Sequence, residues 1–225
     1  MELIESFQHL NNTYSKKIKT VKYTEGEKVI IEKEGVKDIS ELIIGNNELE
    51  YNNIDKSHRN SFVVNKKLEI AGDVQKNDKY NKKFTVKLIQ NGLQEINHLS
   101  SILYLNEFYK IHCIIYNGNT KQFYHTSFKE YPKVVCIYKN NTWFLDDNIE
   151  VKDSSNDIQD LSNILKIDCE TVIFKTFLGA LSKYKMVDLE GYCKERDISL
   201  LKSNGKKKLK KELYDEINLY EIKKG

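Results

Sequence analysis

The first two thirds of the chain alternate short apolar runs with polar turn residues. The runs are rich in β-branched and aromatic residues, which is typical of strands, and the clearest are 29–31, 62–64, 84–86, 111–116 and 134–138. Asn91-Gly92 and Asn117-Gly118 lie between such runs, and this dipeptide is the strongest short-range sign of a hairpin. Asn140-Asn141, just before Trp143, indicates another tight reversal. The pattern predicts a mostly antiparallel, β-rich domain over residues 1–151.

A polar stretch, Lys152 to Asp157, has no apolar side chain to bury and predicts a domain boundary. After it the apolar spacing becomes helical. Ile158, Leu161 and Leu165 share one helical face, and a second set recurs every three or four residues: Ile173, Phe177, Leu181 and Tyr184. We therefore expect an α+β protein in which the β-rich domain precedes a C-terminal helical region, residues 158–225.

Two short helices are predicted within residues 186–220. The first places Leu189 and Cys193 inward, and Ile198 and Leu200 plug the turn that follows it. The second begins near 203–205, where Ser203 or Asn204 is a natural N-cap. Its buried face has leucine or isoleucine at i, i+4 and i+8, which are Leu209, Leu213 and Ile217.

This segment resembles the SAP motif, a helix–extended loop–helix module that binds duplex DNA in chromatin, repair and viral proteins. The matching features are the leucine and cysteine of the first helix, Arg196-Asp197-Ile198 at its exit, and the Gly-Lys-Lys-Lys-Leu run at 205–209. Glycine is usual in the family where Asp197 stands, and the link from Ile198 to Gly205 is a few residues longer than usual. The resemblance covers residues 186–220 and nothing before them.

The resemblance implies double-stranded DNA as the partner, and simple electrostatics agrees. A helix N-terminus offers free N–H groups and a partial positive charge, and lysines cluster where the second helix is expected to start. Contacts of this kind to phosphates give affinity and salt dependence rather than sequence reading. The predicted DNA-binding residues are Arg196, Lys202, Ser203, Asn204, Gly205, Lys206, Lys207, Lys208, Lys210 and Lys211.

The distribution of charge supports this interpretation better than the number of lysines does. From Lys183 to Gly225 there are 12 basic and 8 acidic residues, a balance of +4, whereas the preceding residues balance to −1. Only Arg59 and Arg196 are arginines, and Pro132 is the single proline. This usage indicates an AT-rich genome, such as that of a large DNA virus, so part of the lysine surplus reflects codon bias.

The sequence also bears on location. It has no apolar run of roughly 18 residues, so no membrane-spanning helix is expected. Residues 1–10 mix acidic and apolar side chains, unlike a secretory signal. The four scattered cysteines are expected to be reduced thiols, and they are Cys113, Cys136, Cys169 and Cys193. We expect an intracellular protein, in a nucleus, viral factory or virion, and not a secreted one.

Two stretches of the sequence are compatible with catalysis. Residues 109–147 faintly resemble the last strands of ubiquitin-specific proteases, which would make His125 a base oriented by Asp146 or Asp147, but no cysteine precedes Cys113 to act as nucleophile. Glu150-Val151-Lys152 matches half of a metal-dependent nuclease site, with the same two aspartates as further ligands. These matches are short, and no catalytic residue is assigned.

No Cys-x-x-Cys pair and no pair of histidines three to five residues apart occurs, so neither a metal nor a cofactor is expected. The sequence predicts a non-enzymatic, largely sequence-independent duplex DNA-binding protein with a role in genome packaging, replication or transcription. Its β-rich domain would bind a protein partner or self-associate. Two alternatives stay open: a nuclease that the module targets to DNA, and a structural or virion protein with a basic tail.

Overall fold

Helices precede the sheet in this chain. A computed structural model describes residues 35–74, 78–146, 149–151 and 155–224, all within one compact unit that spans 34–225. Within these ranges four helices come first: α1 (Ile39–Asn47), α2 (Lys56–Asp73), α3 (Val86–Gln94) and α4 (Leu99–Tyr109). Four strands follow: β1 (His112–Asn117), β2 (Phe123–His125), β3 (Lys133–Lys139) and β4 (Thr142–Leu145). Two further helices complete the described part, α5 (Met186–Glu195) and α6 (Lys210–Lys224).

The predicted order of a β-rich domain followed by helices is therefore wrong, although α+β is the right class. The helix starts have ordinary local causes. Asp38 accepts a hydrogen bond from the Ser40 N–H at the start of α1, and Asp55 caps α2 through Ser57 in the same way. At α3 the Thr85 hydroxyl accepts from an N–H one turn on. These caps satisfy N–H groups that a helix end leaves without partners.

Three of the expected strand and turn segments lie within a helix or at the start of one. Residues 62–64 lie inside α2, where only Val63 of the three is buried. Of residues 84–86, Val86 is the first residue of α3 and Thr85 is its N-cap, and Asn91-Gly92 lies within that helix instead of in a hairpin. Gly92 serves close packing, because a Cβ there would collide with the Ser100 hydroxyl on α4. The expected strand at 29–31 lies outside the described residues.

The sheet itself is mixed, with strand order β2-β1-β3-β4. β1 and β3 pair in parallel at its centre, and β2 and β4 pair antiparallel with them at the edges. The predicted runs at 111–116 and 134–138 are these two central strands. Asn117-Gly118 begins the turn between β1 and β2, as predicted. Asn140 and Asn141 join β3 to β4 with φ of 52° and 62°, the left-handed pair that a tight hairpin turn requires.

The sheet has apolar side chains on both faces because successive residues of a strand point to opposite sides. One face, with Cys113, Ile115, Cys136 and Trp143, packs into the main core with the helices α1 to α4. The other face carries a smaller cluster of Ile114, Val135 and Ile137 with partly buried aromatic and aliphatic neighbours.

The segment between the sheet and α5 is mostly irregular. Ile158 and Leu161 are buried in a short 3-10 turn (Ile158–Leu161), and Leu165 is buried just after it. The amphipathic helix predicted through residues 173–184 is absent there, since only Leu181–Lys183 forms a 3-10 turn. Of the predicted boundary, Ser155, Asn156 and Asp157 are described, and the side chains of Ser155 and Asn156 accept hydrogen bonds from the edge strand β2. None of the helices in the described ranges is long and apolar enough to cross a membrane.

Asn97, in the short link between α3 and α4, connects distant parts of the main core. Its Oδ1 accepts from the Ile39 N–H at 3.0 Å and from the indole N–H of Trp143 at 2.9 Å. Its Nδ2 donates to the Lys37 carbonyl, and its own N–H donates to Asp38. Its φ is 56°, a left-handed value that asparagine tolerates better than most residues.

We predict that Asn97→Ala lowers the free energy of unfolding by about 3 kcal/mol, because two donors in the core lose their acceptor and the left-handed backbone is strained. Urea unfolding followed by Trp143 fluorescence measures the effect. The matched control is Asn140→Ala, also at a positive φ but exposed, which should cost only about 1 kcal/mol. Equal losses in the two variants would show that the hydrogen bonds of Asn97 are unimportant.

Candidate nucleic-acid interface

The C-terminal module, residues 178–224, has a hydrophobic cluster of its own. Leu189 and Cys193 lie one turn apart on α5 and are fully buried, as the spacing predicted. They meet Leu213 and Ile217 of α6, and Leu178 completes the buried set. Ile198 and Leu200 pack against this cluster from the connecting segment.

Helix α5 ends in a Schellman-type turn. The Ile198 N–H donates to the Cys193 carbonyl at 2.9 Å, and the Asp197 N–H donates to the Lys194 carbonyl. Asp197 lies at φ 55°, in the left-handed region that glycine favours at this position. The residue that departs from the SAP pattern thus occupies a backbone conformation in which glycine is the usual choice.

A small hairpin separates the two helices of the module. The Lys202 N–H donates to the Lys206 carbonyl at 2.8 Å, and the Lys208 N–H donates to the Leu200 carbonyl at 2.9 Å. Gly205 makes the turn possible with φ 77°. Ser203 and Asn204 lie exposed at the tip, where the Asn204 side chain accepts from the Lys206 N–H.

Three expectations about the second helix are therefore wrong. The helix starts at Lys210 and not near residues 203–205, so neither Ser203 nor Asn204 is its N-cap. Lys206, Lys207 and Lys208 lie on the hairpin and not in the first helical turn. Leu209 precedes the helix and is 65% exposed, although Leu213 and Ile217 are buried as predicted. The hairpin is favoured because Gly205 and Asn204 supply the turn that a helix would exclude.

Three of the predicted DNA-binding side chains are held within the module by acidic partners. Arg196 donates from Nε to Glu221 at 2.6 Å and lies over the rings of Phe177 and Tyr192. The hydrogen bond to Glu221 raises the pKa of this guanidinium above its ordinary value. The hydrogen bond between Arg196 and Glu221 thus connects the exit of α5 with the end of α6.

The other two held side chains are lysines of the hairpin. Lys202 Nζ lies 2.7 Å from Glu212. Lys208 Nζ lies 2.5 Å from Glu216 and donates to the Ser199 carbonyl, with only 12% of its side chain exposed. Both ion pairs fasten the hairpin to α6, so these lysines contribute to the module's structure.

The remaining four lysines are free to meet an anion. Lys206, Lys207 and Lys211 are exposed, and Lys210 is half-buried. No carboxylate in the described ranges lies within ion-pair distance of any of them. The structure thus separates the predicted set into side chains that hold the fold together and side chains that face solvent.

The sequence analysis did not identify the glutamates that pair with the lysines of the module, nor one buried asparagine that holds the module together. Glu212 and Glu216 are four residues apart and so lie on one side of α6, which was a readable sign that they would pair with nearby lysines. Asn218 is buried, and its Oδ1 accepts from the Leu178 N–H at 2.9 Å. No pattern in the sequence singled out this asparagine.

Among the described residues, which do not include Asp147, the enzyme-like combinations in the sequence do not assemble into a protease site. His125 Nδ1 lies 3.1 Å from His112 Nε2 on one face of the sheet. Cys113 points to the other face, where its sulfur lies 3.4 Å from that of Cys136. The contact with Cys136 and burial raise the pKa of the Cys113 thiol well above its ordinary value, which opposes a nucleophilic role.

A serine, a histidine and an aspartate meet at the start of α4, but they form a helix cap. Asp168 accepts from both the N–H and the hydroxyl of Ser100, at 2.9 and 2.5 Å. His98 has one ring nitrogen 3.1 Å from Asp168 and the other 2.8 Å from Glu95. Since Ser100 contacts the carboxylate and not the imidazole, nothing here removes a proton from its hydroxyl.

The nuclease alternative falls partly outside the described residues, because Asp147 and Lys152 lie there. Glu150 is exposed. Across the described ranges, no three histidine, cysteine or carboxylate side chains gather closely enough to hold a metal ion.

Comparison of the chain with protein-family models, with curated proteins and with solved structures finds no match in any of the three. Its function is therefore inferred from the geometry and charge of its own residues.

His112 provides a pH test of how the sheet is packed. Burial, with His125 and Lys133 nearby, lowers the pKa of His112 from 6.5 to about 4. Because the folded-state pKa lies below the unfolded value, the unfolded chain takes up the proton first, and stability falls as the pH drops from about 6.5 towards 4. We predict that His112→Phe reduces this loss by up to about 1 kcal/mol per pH unit.

Urea unfolding at several pH values between 6.5 and 5 measures the slope. The control is His58→Phe on the exposed side of α2, which should keep the slope of the parent chain. A parental slope in His112→Phe would contradict the prediction.

Proposed function

We propose that this chain is a non-enzymatic protein that binds duplex DNA largely independently of sequence, through the C-terminal module. The observation that supports it best is a group of four lysines without acidic partners in the described ranges, of which three are exposed and Lys210 is half-buried: Lys206, Lys207, Lys210 and Lys211. A role in genome packaging, replication or transcription, inside a cell or virion, follows from this partner.

The spacing of the four lysines suits a nucleic-acid backbone. They occupy six consecutive positions across the end of the hairpin and the first turn of α6. A segment of this length reaches at most roughly 18 Å, and one strand of duplex DNA presents a phosphate about every 3.4 Å of helix axis. The cluster can therefore contact several adjacent phosphates of one strand at once.

The start of α6 adds to the positive potential beside these lysines, because the first N–H groups of a helix point outward with partial positive charge. The Leu209 N–H is already satisfied by Glu212 at 2.7 Å. Glu212 and Glu216 also neutralise Lys202 and Lys208. We therefore expect modest affinity, on the order of the micromolar values of non-specific binders at physiological salt.

The SAP resemblance stays a proposal, and one backbone position is compatible with it. Asp197 has a positive φ at the exit of α5, where a glycine is usual in the SAP family. The hairpin that contains Gly205 departs from the predicted motif, because the second helix was expected to start there and starts at Lys210 instead.

Removing the four free lysines tests the proposal. A fourfold variant should weaken binding to a 20-base-pair duplex by about 30-fold or more at low salt. Its substitutions are Lys206→Gln, Lys207→Gln, Lys210→Gln and Lys211→Gln. The slope of log affinity against log salt should fall by about 0.9 for each phosphate that the variant no longer neutralises. Fluorescence anisotropy at several salt concentrations measures both quantities. Lys208 is left unchanged because its ion pair with Glu216 supports the fold.

The matched control removes the same charge outside the module: Lys37→Gln, Lys110→Gln, Lys121→Gln and Lys139→Gln, all exposed positions. It should retain most of the affinity and the salt slope. If both variants lost affinity equally, binding would depend on net charge alone and the module would have no special part in it.

Sequence independence is a separate prediction. Bidentate Arg, Asn or Gln side chains usually distinguish base pairs, and the module's only arginine is engaged by Glu221. Unrelated duplexes should therefore bind within a few-fold of one another, with any preference for AT-rich DNA arising from groove shape. Selection from a random duplex pool measures this. Enrichment of a defined motif of several base pairs would show that another surface reads bases.

A further inference from the structure

A cavity of about 620 Å³ opens beside the start of α3 and is lined by residues outside the module. Its floor is aromatic and aliphatic, formed by Tyr80, Phe84 and Ile89, which are buried residues of the main core. This volume lies within the range of about 300–1,000 Å³ that is typical of small-molecule sites.

The walls of the cavity are fixed before any ligand arrives. Residues 79–81 run beside 173–175, joined by the Asn81 N–H to the Ile173 carbonyl at 2.7 Å and by the Lys175 N–H to the Lys79 carbonyl at 2.9 Å. Tyr80 packs edge-on against Phe84 and stacks on Phe174, with ring centres 5.1 and 5.8 Å apart. A preformed site of this kind binds without the cost of ordering its own walls.

The mouth of the cavity is positively charged. Lys82, Lys87 and Lys175 line it together with one carboxylate, Asp78. Asp78 lies 3.5 Å from Lys175 and offsets that charge. Lys82 and Lys87 are exposed and have no acidic partner in the described ranges.

We propose that this cavity binds a small aromatic anion, whose ring lies against Tyr80 and Phe84 and whose negative group is held by Lys82 and Lys87. The apolar floor selects a hydrophobic body, and the two ammonium groups select a phosphate, sulfonate or carboxylate attached to it. The site uses none of the lysines assigned to DNA. The experiments that test it are therefore independent of those that test DNA binding.

Paired fluorescent probes test the site on the full chain. Anilinonaphthalene sulfonate is an aromatic anion, and N-phenylnaphthylamine is an uncharged analogue of similar shape. Lys82→Gln with Lys87→Gln should weaken the sulfonate by about five- to tenfold, as expected for two exposed charge contacts, and should change the affinity of the neutral amine less than about twofold. Lys121→Gln with Lys139→Gln, exposed lysines elsewhere, should alter neither.

Two further measurements give the location and the independence of the site. In ¹⁵N spectra the amide signals of Val86 and Lys87 should shift and saturate at the same sulfonate concentration as the fluorescence. The fourfold lysine variant of the module should bind the sulfonate normally, and the Lys82 and Lys87 variant should bind duplex DNA normally. Unchanged sulfonate affinity in the Lys82 and Lys87 variant, or saturable shifts confined to other residues, would overturn the proposal.

Discussion

The main core depends on a single side-chain amide acting as acceptor for two buried donors. Asn97 Oδ1 receives the first N–H of α1 and the indole N–H of Trp143, which is fully buried on β4. An indole buried without an acceptor is costly, so the position of β4 against the helices is tied to Asn97. The Lys166 N–H donates to the Asn97 carbonyl, which extends the same junction to the segment after the sheet. Helices, sheet and following segment therefore meet at one residue.

The central strands and the turns at 117–118 and 140–141 could be predicted from the sequence because their information is local. Asparagine pairs adopt the left-handed backbone that a tight turn needs, and β-branched runs favour strands. The helices at 39–109 were harder to predict because alanine, the best helix former, is nearly absent. Only Ala71 lies among them. The sequence did offer helix N-caps at Asp38, Asp55 and Thr85. The β-branched runs beside these caps predicted strands instead.

The module shows a similar division between local and non-local information. Helical spacing predicts which side chains of the two helices point inward, and the structure buries them: Leu189, Cys193, Leu213 and Ile217. Which lysines are free depends on ion pairs between the hairpin and α6, and charge composition does not reveal these. Glu212 pairs with Lys202, and Glu216 pairs with Lys208. These two lysines therefore contribute to the fold of the module. The cavity beside α3 was also missed, since one of its lining residues, Lys175, lies about ninety residues after the others in the sequence.

The separate hydrophobic cluster of the module has a consequence for cooperativity. Its five buried side chains share none with the main core, and a cluster of this size opens at a lower free energy than a core built from four helices and a sheet. The module is thus expected to behave as a foldon of its own, whose amides exchange with solvent through a partial opening that leaves α4 and the central strands protected. A polyanion bound at α6 would close that opening, so local stability and occupancy of the surface would rise together.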